Sequence, residues 1–137
     1  MSLSSLPVTV AVTNTNAGLS GNGQPILHEL ASLMERLLET DQIGAIDLEA
    51  LPLTPADLEW LEDQLGCGEI SMTLESQGTS TLRETALPGV WWITHRNEQG
   101  GVLTQLLEVT FVPELAKAHP DDVHNGFERL QILLGNY

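Results

Sequence analysis

The chain has 137 residues and a mass of 14.9 kDa, the size of one domain, which buries roughly two-thirds of its unfolded surface and needs no staples. Nineteen acids against five bases give a net charge of −14. That field excludes nucleic acid and anionic lipid as partners and favours a basic protein surface or segment. The single cysteine, Cys67, excludes an intrachain disulfide, a Cys-x-x-Cys redox pair and a cysteine-built zinc site within one chain.

Taken in order, Leu6 to Val12 (L-P-V-T-V-A-V) reads as a short edge strand. Thr13 to Gln24 is poor in apolar residues and rich in Gly, Asn and Ser, the composition of a flexible arm. Residues 1–24 are therefore assigned to an N-terminal arm and 25–137 to a single domain. No charged-then-apolar leader and no apolar run of about 18 residues is evident, so a cytoplasmic protein without membrane insertion is expected.

Pro25 to Thr40 has the spacing of an amphipathic helix. Pro25 suits the first turn, and Ile26, Leu27, Leu30, Leu33, Met34, Leu37 and Leu38 form a wide apolar stripe. A short alternation around Asp47 follows, with Ile46 and Leu48 apolar. Thr54-Pro55-Ala56-Asp57 then opens a second helix, with Thr54 as N-cap, which runs to Leu65 and ends at Gly66.

From Glu69 the period changes from 3.6 to 2. Ile70, Met72 and Leu74 alternate with polar residues, and Gln77-Gly78 signals a turn. Ser80 to Ala86 is a second, weaker strand. Pro88-Gly89 fits the centre of a type II turn, whose twist suits a tight hairpin poorly, so a bulge or bend is expected there. Val90 to Arg96 is the third strand, Asn97 to Gly101 a hairpin loop and Val102 to Val112 the fourth strand. On that last strand Leu103, Leu107, Val109 and Phe111 share the expected core face. Pro120-Asp121-Asp122 opens a final helix on which Val123, Phe127, Leu130 and Leu134 align. The fold class this order predicts is α+β, an antiparallel sheet of about four strands with helices packed on one face.

Catalytic chemistry finds little support. There is no G-x-S-x-G, the Gly66-x-Gly68 pair precedes a strand rather than a helix, and Cys67, in an exposed-looking and flexible Gly-Cys-Gly, reads as incidental. Of the four histidines, His119 and His124 lie close together, and a His124–Glu128 pair supplies at most two ligands, short of a zinc site. Paired acids such as Asp57/Glu59, Glu62/Asp63 and Asp121/Asp122 read as caps or solvated helix faces. No enzyme, metal or cofactor is assigned.

A binding surface is the better reading. A glutamate recurs within each apolar strand pattern, at Glu69, Glu84 and Glu108, and the Pro88-Gly89 turn opens onto Trp91 and Trp92. Adjacent strand residues point to opposite faces. One tryptophan is thus expected beneath the helices and the other on the open face or under another subunit, where large aromatics act as hot spots. Trp60 is a further exposed-aromatic candidate. The candidate partner-binding set is Glu69, Glu84, Pro88, Gly89, Trp91, Trp92 and Glu108.

The Leu-Gly-x-Gly-Glu-Ile run (Leu65 to Ile70), the E-T-x-x-P-G-V-W run (Glu84 to Trp91) and the L-E-V strand end followed by Pro113 resemble hydrogenase expression/formation proteins of the HupH/HyaF type. The upstream I-D-L-x-x-L-P-L-T-P-x-D (Ile46 to Asp57) is similar to that family as well, and the resemblance covers roughly residues 43–134. Longer members carry an extra N-terminal region for which this chain has little room. The resemblance implies an accessory, chaperone-like role in nickel–iron hydrogenase maturation. The expected partners are the small subunit or its precursor, held during iron–sulfur cluster assembly and export, and other maturation proteins. A homo-oligomeric acidic scaffold, such as a homodimer through the same apolar face, is the alternative.

Overall fold

In a computed structural model that describes residues 18–135, α1 (Gln24–Thr40) leads into β1 (Gly44–Asp47), a 3₁₀ turn (Leu48–Ala50) and α2 (Pro55–Leu65). The strands β2 (Ser71–Glu75), β3 (Thr79–Glu84), β4 (Val90–Arg96) and β5 (Val102–Val109) follow, then a second 3₁₀ turn (Glu114–Ala116) and α3 (Pro120–Gly135). All strand pairs are antiparallel, in the order β1-β5-β4-β3-β2. The architecture is α+β, with five strands among the described residues rather than the expected four or so. The extra strand is the alternation around Asp47, which pairs with the outer edge of β5.

The helix ends follow from local chemistry. Thr54 and Asp57 form a reciprocal capping box on α2, each side chain accepting the other's backbone N–H. Gly66, at φ 67°, closes that helix, and Asp41 closes α1 in the left-handed region at φ 62°. The strand expected at Leu6–Val12 lies outside the described residues, as does most of the arm. The arm's described end is not free: Ser20 donates from its backbone and its hydroxyl to the Asp57 carboxylate, and Gly18 accepts from the Thr54 hydroxyl at 2.6 Å.

Register sorts the sheet residues onto two faces. Val90, Trp92, Leu107, Val109 and Ile46 lie under α1 and α2, packed against Ile26, Leu30, Leu37, Leu61 and Leu65. Leu82, Trp91 and Ile93 are buried on the opposite face, beside Met72, Leu74, Leu106 and Ala116. Each such aliphatic side chain contributes roughly 1.5–3 kcal/mol relative to exposure.

Three expectations are corrected. Leu103 does not join the core: His95 pairs with Thr104 and Arg96 with Val102, so Leu103 is the extra residue of a bulge and is exposed. Phe111 lies past the end of β5, where the chain bends at Thr110, and is 60% exposed. The final helix does not pack on the sheet, since every described residue of α3 is exposed.

Candidate interaction site

The Pro88–Gly89 turn is held from three sides. Val90 donates to the Leu87 carbonyl at 3.0 Å and Gly89 sits at φ 93°, as a type II turn requires. Of the expected bulge or bend, the bend is what forms, at Ala86 and Leu87. Four residues, Ala86 to Gly89, separate Thr85 from Val90, and the single Thr85 hydroxyl hydrogen is shared between the carbonyls of Val90 (3.0 Å) and Leu87 (3.2 Å). This loop takes up the twist mismatch, and the register irregularity falls instead at His95/Arg96. On the third side, Thr110 donates its N–H to the Gly89 carbonyl at 2.9 Å, while the Trp91 indole donates to the Thr110 carbonyl at 3.2 Å.

The two tryptophans point to opposite faces, as strand alternation dictates, but neither is exposed. Trp92 is 3% exposed beneath the helices, and Trp91 is 2% exposed on the other face. The Trp92 indole donates to Gln105 Oε1 at 2.8 Å, and the Arg83 guanidinium lies 6.0 Å from the Trp92 ring. Their indole N–H groups bond within the chain, so both tryptophans shape the turn and sheet from inside. Trp60 is only partly exposed; its ring lies where a Cβ on Gly23 would be, 2.8 Å from Cε3.

Register aligns Glu84, Trp91, Glu108 and Ala45 in one row across four strands. Glu84 and Glu108 thus flank Trp91. Glu108 Oε1 is buried without a hydrogen-bond partner among the described residues, and burial, followed by the nearby Glu114 carboxylate, pushes its acid group above the ordinary range. Glu69 stands apart, exposed in the link before β2 and outside any strand. Its neighbour Gly68 donates to the Glu84 carbonyl at 2.8 Å, so the link is moored to the same end of the sheet.

The turn also forms one wall of a half-open groove. Glu84, Pro88 and Gly89 face Met34, Leu37 and Leu38 from the last turns of α1, with Phe111 alongside, around a cavity of about 290 Å³. Leu38 is 77% exposed on its rim. The groove is mainly apolar with one carboxylate at its margin, which suits an apolar side chain or helix turn next to a basic or amide donor. Sequence reasoning missed the α1 contribution, because Leu38 reads as one more residue of the core stripe.

Other polar constellations carry less. Ser80 Oγ lies 2.6 Å from His95 Nδ1 across β3 and β4, a pair made by strand register and invisible in sequence. Nucleophilic catalysis would also need a group orienting the imidazole, and among the described residues His95 has no side-chain hydrogen bond besides the one to Ser80. His124 Nε2 and Glu128 Oε1 are 3.3 Å apart on exposed α3, and among the described residues no group of three ligating side chains converges. No helix of the described residues is long and apolar enough to cross a membrane.

The family model described as "HupH hydrogenase expression protein, C-terminal conserved region" matches residues 21–137, extending the resemblance upstream through α1. The solved structure of hydrogenase expression protein HupH from Thiobacillus denitrificans is similar, with a TM-score of 0.85 and 54% identity over 87% of this chain and 99% of that one. Hydrogenase expression/formation protein HoxQ of Azotobacter vinelandii is 32% identical over 80% of this chain and 40% of its own length. Hydrogenase-1 operon protein HyaF of Escherichia coli is 30% identical over 80% of this chain and 38% of its own length. The chain thus spans about two-fifths of these two curated relatives. With the family match running from the start of α1 through α3, the chain belongs to the HupH family of hydrogenase expression proteins, in its C-terminal conserved region.

Proposed function

We propose that this chain is a non-catalytic, chaperone-like accessory protein of nickel–iron hydrogenase maturation, acting in the cytoplasm. Its client is the hydrogenase small subunit or its precursor, held during cluster assembly and export alongside other maturation proteins. The observation that carries the reading is the groove between the end of α1 and the Pro88–Gly89 turn, in a family of hydrogenase expression proteins. It offers apolar surface that the described residues leave uncovered, notably at Leu38 and Phe111.

In this reading the net charge of −14 steers basic client segments toward the protein. Leu38 and Phe111 then cover apolar client surface, and Glu84 at the groove margin accepts hydrogen bonds from it. Trp91 and Trp92 act indirectly, by fixing the turn that forms the wall. Glu69, at the same end of the sheet, serves the rim, and Glu108 acts only by shaping the row beside Trp91.

The test is co-purification of tagged protein from cells expressing the small-subunit precursor, for the native chain, Leu38→Glu and Phe111→Glu. Both substitutions are at exposed positions and leave folding within about 0.5 kcal/mol. Recovery of the precursor that falls at least tenfold in either variant, and weakens with salt, is the expected result. Equal recovery from all three proteins sinks the groove assignment; no recovery from any sinks the client.

A further inference from the structure

The helix α3 is an amphipathic element with nothing beneath it among the described residues. All of its described residues are exposed, yet Val123, Phe127, Leu130 and Leu134 recur at spacings of four, three and four. These four sit at the a and d spacing of a two-stranded coiled coil over less than two heptads, with exposed Leu133 beside them and exposed Ile132 on the opposite side of the helix. A helix of this length is marginal alone in water, so its apolar seam calls for a partner.

We infer that α3 pairs with α3 of a second copy of this chain, making a homodimer through the helix seam. Three observations favour a second copy over a charged partner. The positions flanking the seam are His124, Gly126, Gln131 and Leu133, none of them acidic. The carboxylates Asp121, Asp122 and Glu128 all fall on the outer side of the helix, so two copies of a −14 chain meet here without opposing acids.

Gly126 is the second observation. A mid-helix glycine costs about 1 kcal/mol relative to alanine, yet a Cβ built there meets nothing within 4 Å, so packing among the described residues does not require it. Beside a seam, it lets a second helix backbone approach. Area is the third. Val123, Phe127, Leu130, Leu133 and Leu134 are each more than half exposed, and covering two such stripes removes on the order of 1,000 Å², the size of a weak, reversible interface rather than a permanent one. The dimer is therefore dilution-sensitive. Its salt response opposes that of client steering, because screening relieves repulsion between two acidic bodies.

Sedimentation equilibrium of the full chain over a wide concentration range tests this, with hydrogen exchange read on α3. The expected result is a reversible monomer–dimer equilibrium that tightens on adding salt. The α3 amides should be protected at high concentration. Leu130→Asp, and separately Phe127→Asp, should weaken association at least tenfold and expose the α3 amides, while thermal melting of the sheet domain is unchanged. A native chain monomeric at every concentration overturns the inference, as does a dimer that survives both substitutions. A monomer with protected α3 amides places the helix on its own chain and overturns it equally.

Discussion

Trp91 and Thr110 hold each other's strand ends: the Trp91 indole donates to the Thr110 carbonyl at 3.2 Å, while the Thr110 N–H is bonded to Gly89, two residues before the tryptophan. The turn that walls the groove is thereby tied to the end of β5. Trp91→Phe keeps much of the ring packing but strands a buried carbonyl. It should cost about 1–2 kcal/mol in denaturant unfolding, whereas Trp91→Ala should cost about 3–5 kcal/mol. At concentrations where both stay folded, client capture should fall in both. Undiminished capture by folded Trp91→Phe would separate the turn's anchoring from binding.

The carboxylate row beside that tryptophan makes a pH-dependent prediction. The folded-state pKa of Glu108 lies above its unfolded value, first because of burial and then because of Glu114. Between the two values the folded chain holds more protons than the unfolded one, so this group's contribution to stability declines as pH rises through the folded value. Glu108→Gln removes that penalty and can donate a hydrogen bond. It should melt higher than the native chain at pH 7, with the difference shrinking toward pH 4. A variant that melts lower at pH 7 would show that the carboxylate form is favoured.

Much of this fold is legible in the sequence, and the parts that are not have specific causes. Thr54-Pro55-Ala56-Asp57 announces a helix start because a capping box is local chemistry, and Pro88-Gly89 announces a turn for the same reason. The strand β1 escapes because its four residues are too few to establish a period. The orientation of Leu103 escapes because one bulge residue flips alternation. The groove is least legible. Leu38 and Phe111 are remote in sequence and meet only because β1 returns from α1 to pair with β5. The tryptophans mislead in the opposite way: two large aromatics after a turn suggest a contact surface, yet burial on both sheet faces takes up one each.

Asp57 gives the opposite pH sign to Glu108. The Ser20 hydroxyl, with the backbone N–H groups of Thr54 and Ser20, holds its carboxyl down at about 2 against an ordinary 3.8. Stability from this network is therefore fully present above the unfolded value and is lost as pH falls through the folded one, between about pH 4 and pH 2. Asp57→Asn turns an amide N–H toward donors, so the variant should be less stable at neutral pH and show a flatter acid-unfolding curve in that window. An unaltered acid limb would mean that other carboxylates govern acid unfolding.

Gly68 explains why the Leu-Gly-x-Gly-Glu run is written with two glycines. Gly66 occupies φ 67° at the end of α2, a conformation that L side chains rarely adopt. Gly68 answers to space instead: a Cβ there would lie 2.4 Å from the Thr85 carbonyl oxygen, a backbone atom that cannot swing aside. The close approach lets Gly68 donate to the Glu84 carbonyl at 2.8 Å and moors the link before β2 to the strand that leads into the turn. Gly68→Ala must push these two backbones apart, and it should destabilise the chain by about 1–3 kcal/mol and speed exchange of the amide at position 68. Cys67→Ala, one position earlier on an exposed side chain, should do neither. If the two variants unfold alike, the crowding at Thr85 is relieved by the chain at no cost, and the second glycine of the run is not held there by packing.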